Sequence, residues 1–542
     1  MKEKTNKYNN KVVYEIYVKA FNDSNNDGIG DIKGVTEKLE YLSNLGIDYI
    51  WLTPIFKTDN YDNGYDIVDY YSINPEFGTM DDVIELIETA KKYNIKIMLD
   101  MILNHSSINA KYFQDLINNK EDNSEMFHLV ESKNEPTNWK SKFGGSAWKY
   151  VENLDKWYLH LFAEQQIDMN WTSEKWRNEA KNIINFWLDK GIGGLRFDVV
   201  NLYAKPENFI DDNKGDGRRF YTDNEKFVDI FTDLANKTFK KKKDIFTVGE
   251  LSSTTYKNIA KYTNEKSKML DSAFSFMHLK TDYVNNNKWN NKVTDIKDFL
   301  KSIKSMQREV QKGNGTNAVF LNNHDQPRAN SRFLPKVDNY LRSTLLANFY
   351  INLSGVPFIY QGEEFGMTNP NFESLDQFID IETKNKINEL RSEGFDDKEI
   401  LQKVKHKSRD NGRSTMWWSS NKNAGFSNQK LEQHLSDRYK EFNYEKDINS
   451  NDSVFKDYQR IIELRKNSSS LINGDIKFKH IDKRICVYTR DKGKIVVISN
   501  FSDTTLDASM YIDFSKYRLL YSNREYKQFS VKPYQTITLD RK

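Results

Sequence analysis

The chain has 542 residues, 38% of them hydrophobic and 13% aromatic, enough to bury a large core spread over two to four domains or a barrel with insertions. Lys and Arg number 81 against 78 Asp and Glu, so the formal net charge is only +3 and no excess of basic residues points to nucleic acid or an anionic membrane surface. A single cysteine, Cys486, excludes an internal disulfide and a cysteine metal cluster, and there is no run of 18 apolar residues. The first residues, MKEKTNKYNNK, are polar and have no apolar signal core, so the expectation is a soluble cytoplasmic monomer with neither nucleic-acid nor membrane partner.

Residues 12–21 (VVYEIYVKAF) have strand character and lead into loop 22–31. The loop places oxygen donors at alternate positions: Asp23, Asn25, Asp27, the carbonyl of Ile29, and Asp31, with Gly28 allowing a sharp turn. That pattern suits a hard structural cation, Ca²⁺ or alternatively Mg²⁺. Gly34 stands where an EF-hand would carry its bidentate Glu, so the loop is not an EF-hand, and an acidic turn capping the next helix is the competing reading. A helix over 32–45, a strand over 48–53, a glycine-bearing loop at Asn63-Gly64-Tyr65-Asp66 and an amphipathic helix over 80–94 follow. Residues 95–103 (IKIMLDMIL) form an apolar strand, interrupted by Asp100 and ending at Asn104-His105.

Residues 106–171 break this alternation and are rich in tryptophan (Trp139, Trp148, Trp157, Trp171), with Gly144-Gly145 in the middle. So long an irregular stretch inside a regular pattern is read as an inserted lobe. The rhythm resumes with a helix over 173–190 and a strand over 194–200 within GIGGLRFDVVNLY. That strand carries Arg196 and Asp198 on one face, which is costly in a buried sheet unless they pair with each other, a substrate or a metal. Further strands are expected at 244–251 (ending at Glu250), weakly at 273–276, at 317–322 (running into Asn323-His324-Asp325-Gln326-Pro327-Arg328) and at 357–361, before Gly362-Glu363-Glu364. The count is about eight, the number that closes a (β/α)8 TIM barrel. Beyond residue 468 short alternating strands, such as 485–489 and 494–501, predict an all-β domain. The expected division is barrel at 1–104 and 172–467, insertion at 105–171 and β domain at 468–542.

Three strand ends thus carry one carboxylate each: Asp198, Glu250 and Asp325. Any one of them could cap the next helix. Together, and with His105, Arg196, His324 and Arg328, they suit a reaction that develops positive charge and needs both an acid and a nucleophile, as glycoside hydrolysis does.

The segments DMILNH (100–105), GLRFDVV (194–200), VGE (248–250) and NNHDQPR (322–328), in this order, resemble the α-amylase family of glycoside hydrolases. Within it, QIDMN at 166–170 is similar to the QPDLN segment of the oligo-1,6-glucosidase subgroup, with Ile167 and Met169 replacing Pro and Leu. The resemblance implies a retaining enzyme in which Asp198 is the nucleophile, held ionised by Arg196, Glu250 the acid and base, and Asp325 the stabiliser of the transition state. It further implies that His105 and His324 bond the sugar, that Tyr65 stacks on it, and that Asp66 with Arg328 closes its non-reducing end. Val199, after the nucleophile, favours α-1,6 or α-1,1 linkages. FIDDNKGDGRRFYTD (209–223), VGELSSTT (248–255), KYTNEKSK (261–268) and MHLKTDYVNNNKW (277–289) look like trehalose-6-phosphate hydrolases more than oligo-1,6-glucosidases. The expected substrate is then a phosphorylated disaccharide, cleaved to glucose and glucose 6-phosphate, with isomaltose-type ends as the alternative. The candidate phosphate ligands are Lys280 first, then Lys288 and Lys142, with Arg218 or Arg219 of the loop GDGRRF (215–220) in reach. RSTMWW (413–418) departs from the family's RTPMQW and puts the aglycone side of the pocket in question. Catalytically inactive relatives that serve amino-acid transporters carry a transmembrane helix, for which no apolar run exists here.

Overall fold

The computed structural model describes residues 6–267 and 269–542. At its centre eight short parallel strands form a ring: β1 (Val13–Ile16), β2 (Tyr49–Leu52), β3 (Lys96–Met101), β4 (Gly194–Phe197), β5 (Phe246–Glu250), β6 (Ser272–Phe274), β7 (Ala318–Val319) and β8 (Val356–Tyr360). Neighbours in the chain are neighbours in the sheet, β8 pairs back onto β1, and a parallel bridge between Ala273 and Asn317 joins β6 to β7. The strands are buried at nearly every position, as both faces of a parallel barrel must be, which is why they read as continuous apolar runs. The TIM barrel expected from the sequence is the fold observed.

The strands are shorter than their apolar runs. β1 ends at Ile16 because the Tyr17 N–H donates to Gln361 Oε1 (2.8 Å) and the chain enters a tight turn at Val18–Ala20. β4 ends at Phe197 because Val199 takes φ 35°, ψ 40°, a left-handed conformation that costs a β-branched residue of order 1–3 kcal/mol. The helix expected over 32–45 breaks at Lys38 into Ile32–Glu37 and Leu39–Leu45, the Lys38 N–H bonding back to Thr36 and Val35 carbonyls.

Between β3 and the helix Glu174–Asp189, which Ser173 caps, lies a three-stranded antiparallel sheet of Leu129–Val130, Lys156–Leu159 and Trp148–Val151. Trp139, Trp148, Leu159 and Leu161 form its apolar cluster, which also takes in Val199, Leu202 and Tyr221 from beyond β4. The insertion therefore packs directly on the segment that follows Asp198. After β8 two helices absent from the sequence reading, Ile381–Ser392 and Asp397–Val404, close a second small cluster around Phe378, Leu390 and Ile400.

A five-stranded antiparallel sheet ends the chain, in the order Ile476–Ile481, Ile485–Arg490, Ile495–Asn500, Thr536–Arg541, Tyr517–Ser522. Alternation along its second strand sends Cys486 and Tyr488 into the barrel's core and Ile485 and Val487 into a separate cluster on the other face. The helix Val454–Lys466, which precedes this sheet, is tied to the barrel: buried Arg465 donates to the carbonyls of Ile351 (2.7 Å), Leu353 (2.9 Å), Asn9 (3.2 Å) and Gly355. Replacing Arg465 with Ala should orphan these carbonyls and cost about 3–5 kcal/mol, read as a melting temperature several degrees lower, with the initial rate at low temperature unchanged. An unaltered melting temperature would show that helix to be held on the barrel by apolar packing alone.

Candidate active site

The β4 guanidinium organises the floor of the pocket. Arg196 lies flat against Trp51, 4.9 Å from the ring centre, and its Nη1 donates to Asp100 Oδ1 (2.7 Å) and Asp198 Oδ1 (2.6 Å), while Nη2 donates to Glu250. Residues 196 and 198 share a face, as strand alternation requires, and the left-handed turn at Val199 holds Asp198 at the strand mouth. Asp198 and Glu250 also hydrogen-bond each other. Behind Asp325, the Arg413 Nη2 donates at 2.7 Å and Arg409 Nη1 lies at 3.5 Å.

Above this floor is a pocket of about 200 Å³ lined by Asp62, Tyr65, His105, Lys142, Phe143, Phe162, Asp198, Val199, Glu250, Ser252, Ser253, Phe276, Lys280, Tyr283, Lys288, Asp325, Gln326, Glu382 and Arg409. It is small beside the ~300–1,000 Å³ of ordinary ligand sites and suits a single sugar ring with a short extension. All three carboxylates singled out in the sequence, together with Tyr65, His105, Lys280, Lys288 and Lys142, line it.

Two expectations are corrected. Asp66 is fully buried beneath the pocket, where its Oδ1 accepts from the Asp62 N–H (2.9 Å), and Arg328 is packed over Tyr360 with its guanidinium spent on the carbonyls of Gln361, Gly412 and Ser414. Neither lines the pocket. The closed end is built instead by Asp62 and Arg409, paired at 2.8 Å, with Arg409 stacked 4.7 Å over Phe143 and backed by Asp380 at 2.6 Å. The sequence holds Asp62 one turn from Asp66 in the same loop but gives no sign of which of the two faces inward, and Arg409 belongs to a segment with no recognisable strand. His324 lies behind the wall, its Nδ1 bonded to Glu15 (2.6 Å) and its Nε2 to the Tyr65 hydroxyl (2.7 Å), so it orients Tyr65 and the neighbouring Asp325. RSTMWW does not reach the aglycone side. Arg413 grips Asp325, Trp418 donates to the Phe21 carbonyl (2.8 Å), and Trp417 packs on Phe442.

The electrostatics divide the carboxylates by role. Burial lifts Glu250 to about 7, with Asp198 and Asp325 adding to the rise against the pull of Arg196. Asp198 was expected to be held low by Arg196. Burial outweighs that pull, with Asp100 adding its charge, and Asp198 rises to about 6. Asp325 goes the other way: against the effect of burial, His324, Arg409 and Arg413 hold it well below the usual carboxylate range. Burial pushes His105 down to about 4, so it meets a ligand neutral. Near neutral pH the site therefore holds a protonated or half-protonated Glu250 beside two carboxylate anions, carboxyls set apart by environment.

The phosphate candidates differ. Lys288 is paired with Glu382 (2.5 Å). Lys142 donates to Ser252 Oγ (2.7 Å), and Lys280 is half-buried and has no bonded partner; among the described residues neither has a carboxylate within ion-pair reach. Arg218 and Arg219 are paired with Asp216 and Asp212, both at 2.8 Å, outside the pocket lining. In loop 22–31, Asp23 accepts from the N–H groups of Asn26 (2.6 Å) and Gly28 (2.8 Å), Asp27 from Ile29 (2.8 Å), and Asp31 caps the following helix through Gly34 (2.6 Å). No three carboxylate or imidazole side chains gather in metal-holding geometry among the described residues. A cation there would depend on mixed donors, the Asn25 amide and the Ile29 carbonyl included, and such a hard-oxygen set fits Ca²⁺ or Mg²⁺.

Residues 15–474 match the α-amylase catalytic-domain family, and the chain belongs to that family of glycoside hydrolases. It is 38% identical to a trehalose-6-phosphate hydrolase of Bacillus subtilis (strain 168) over 99% of this chain and 98% of that one. It is also 38% identical to an oligo-1,6-glucosidase of Parageobacillus thermoglucosidasius over 97% of each. The crystal structure of Bacillus licheniformis trehalose-6-phosphate hydrolase superimposes with a TM-score of 0.92 at 40% identity, covering 98% of this chain and 99% of that one.

Hydrolysis by this site should follow a bell-shaped pH dependence of kcat/KM. The rate falls below about pH 6 as Asp198 takes up a proton and ceases to be a nucleophile, and falls above about pH 7 as Glu250 loses the proton it must donate. A rate that stays level across both limbs would contradict the division of roles.

Proposed function

We propose that this protein is a retaining α-glucosidase that hydrolyses trehalose 6-phosphate to glucose and glucose 6-phosphate. The observation that carries the reading is the pair of half-buried lysines, Lys142 and Lys280, on the pocket wall without carboxylate partners. Two ammonium groups on one wall with no carboxylate beside them leave an excess of positive charge, and a phosphate on the aglycone supplies the missing anion. The two trehalose-6-phosphate hydrolases reported above support the same substrate.

In the reaction proposed, the glucosyl ring lies over Tyr65 with its non-reducing end against Asp62 and Arg409, which leaves room for one terminal unit. Asp198 attacks the anomeric carbon while Glu250 gives its proton to the departing glycosidic oxygen, releasing glucose 6-phosphate. Water, deprotonated by Glu250, then displaces Asp198 from the glucosyl-enzyme. Retention is favoured because Asp198 and Glu250 share one guanidinium and hydrogen-bond each other, leaving no space for an attacking water between carboxylates set far apart. Asp325, always ionised, stabilises the cationic sugar. Hydrolysis of isomaltose-type ends would use the same three carboxylates but leave both lysines uncompensated.

Initial rates of glucose release should therefore be much higher from trehalose 6-phosphate than from trehalose or isomaltose. Replacing Lys280 with Ala should raise KM for trehalose 6-phosphate at least about tenfold, roughly 1.4 kcal/mol, and leave KM for isomaltose nearly unchanged. Equal increases for both substrates would sink the phosphate role.

The proposal extends to the compartment and to the metal. No helix among the described residues is long and apolar enough to cross a membrane, and a charged sugar phosphate is retained in the cytoplasm, where we place the enzyme as a monomer without nucleic-acid or membrane partner. Asp23, Asn25, Asp27, the Ile29 carbonyl and Asp31 would hold a structural Ca²⁺ or Mg²⁺. Chelation should then lower the melting temperature while sparing the initial rate at low temperature. Lost activity at an unchanged melting temperature would put the ion elsewhere.

A further inference from the structure

The two unpaired lysines are not equivalent. Lys142 is half-buried on the pocket wall, and the bonded partner of its amine is a neutral hydroxyl, Ser252 Oγ at 2.7 Å. The charged groups that face it are two cations, Arg218 and Lys280, and two carboxylates, Glu250 and Asp216. Both carboxylates are engaged elsewhere: Asp216 is paired with Arg218 (2.8 Å), and Glu250 is bonded to Arg196 and to Asp198. The local balance is therefore an excess of positive charge in one corner of the pocket.

Such a corner relieves itself by giving up a proton. Arg218 cannot do so, because a guanidinium stays charged in proteins. Lys280 is pressed in the same direction by burial and by Arg218 but has no hydroxyl to anchor it. Lys142 can lose its proton without losing its anchor, since a serine hydroxyl donates to a neutral amine as readily as it accepts from an ammonium. Burial, with Arg218 and Lys280 adding to it, brings the Lys142 ammonium down to about 7.

We infer, taking the phosphate reading of the pocket as given, that Lys142 is largely a neutral amine in the free enzyme at mildly alkaline pH and becomes an ammonium when a phosphate dianion enters, so that binding a phosphorylated sugar takes up a proton from solvent. No covalent bond changes, and the proton comes from water or buffer. The incoming dianion reverses the sign of the local charge, which makes the ammonium the stable form. Neutral sugars bring no charge and take up no proton. The site thus discriminates by charge in a pH-dependent way: affinity for the phosphorylated ligand falls by up to about tenfold per pH unit on the alkaline side, and affinity for a neutral glucoside does not.

Titration calorimetry of the intact enzyme with glucose 6-phosphate, at about pH 8 in two buffers of different ionisation enthalpy, measures this directly. At that pH the phosphate, whose second pKa is about 6, is already a dianion and contributes no proton of its own. The expected result is a net uptake of protons, at most one per ligand, and a log Kd that rises with pH. The Lys142→Met variant should bind glucose 6-phosphate more weakly and with almost no uptake. Should that variant fail to fold, the wild-type buffer dependence and pH slope decide the matter alone. Binding with a heat that is the same in both buffers overturns the proton coupling and leaves the phosphate site standing. No binding of glucose 6-phosphate at any pH overturns the phosphate site and the coupling with it.

Discussion

The Arg196 guanidinium is the interaction on which the rest of the site depends. It is buried against Trp51 and bonded to Asp100, Asp198 and Glu250, each from a different strand of the ring. One positive charge among three carboxylates leaves an excess of negative charge that cannot all be sustained out of water, so at least one carboxyl keeps a proton near neutral pH. The barrel determines which: Glu250 sits deepest in the competing fields of Asp198 and Asp325 and is the group lifted most. The different protonation of the three pocket carboxyls thus follows from one arginine and the asymmetry of its surroundings.

Around that centre the chain arranges two walls of opposite purpose. On one, Arg409 is paired with both Asp62 and Asp380, and the three close the pocket against a sugar that extends further. On the other, Lys142 and Lys280 are left without partners. Both walls are made by segments outside the eight strands: the insertion after β3 supplies Lys142 and Phe143, and the stretch after β8 supplies Glu382 and Arg409. The strands fix the chemistry, and the connecting segments fix the shape and charge of what is admitted, the usual division in a barrel enzyme. The strained Val199 belongs to the same logic, since its left-handed turn, packed under Trp139 and Trp148 of the insertion, holds Asp198 at the mouth of the ring.

Much of this was legible in the amino-acid order. The apolar runs located all eight strands, though their ends differ by a few residues, because ladder pairing stops where the backbone turns out toward the pocket, as at Tyr17 and Val199. The three carboxylates and Arg196 were legible because a charged residue in an apolar strand needs a partner. Lys280 stood out only through resemblance, since an exposed and a buried lysine look alike in a sequence. The helices Ile381–Ser392 and Asp397–Val404 were overlooked in a polar stretch whose small apolar cluster becomes a pattern only once Phe378, Leu390 and Ile400 are seen together.

The sequence by itself determined the fold class, the enzyme family and the three carboxylates that meet in one pocket, because these follow from local periodicity and from charge placed at the ends of single strands. Only the tertiary structure decided how the pocket is closed and what it leaves unpaired. Asp62 and Arg409 are 347 positions apart, and Arg413 is 88 from the Asp325 it holds. No local pattern selects Asp62 over Asp66, or Arg409 over Arg328. Closing the ring brings the loop after β2 against the segment after β8, and which carboxylate meets which guanidinium is settled by that approach, since an ion pair depends on distance in space and not along the chain.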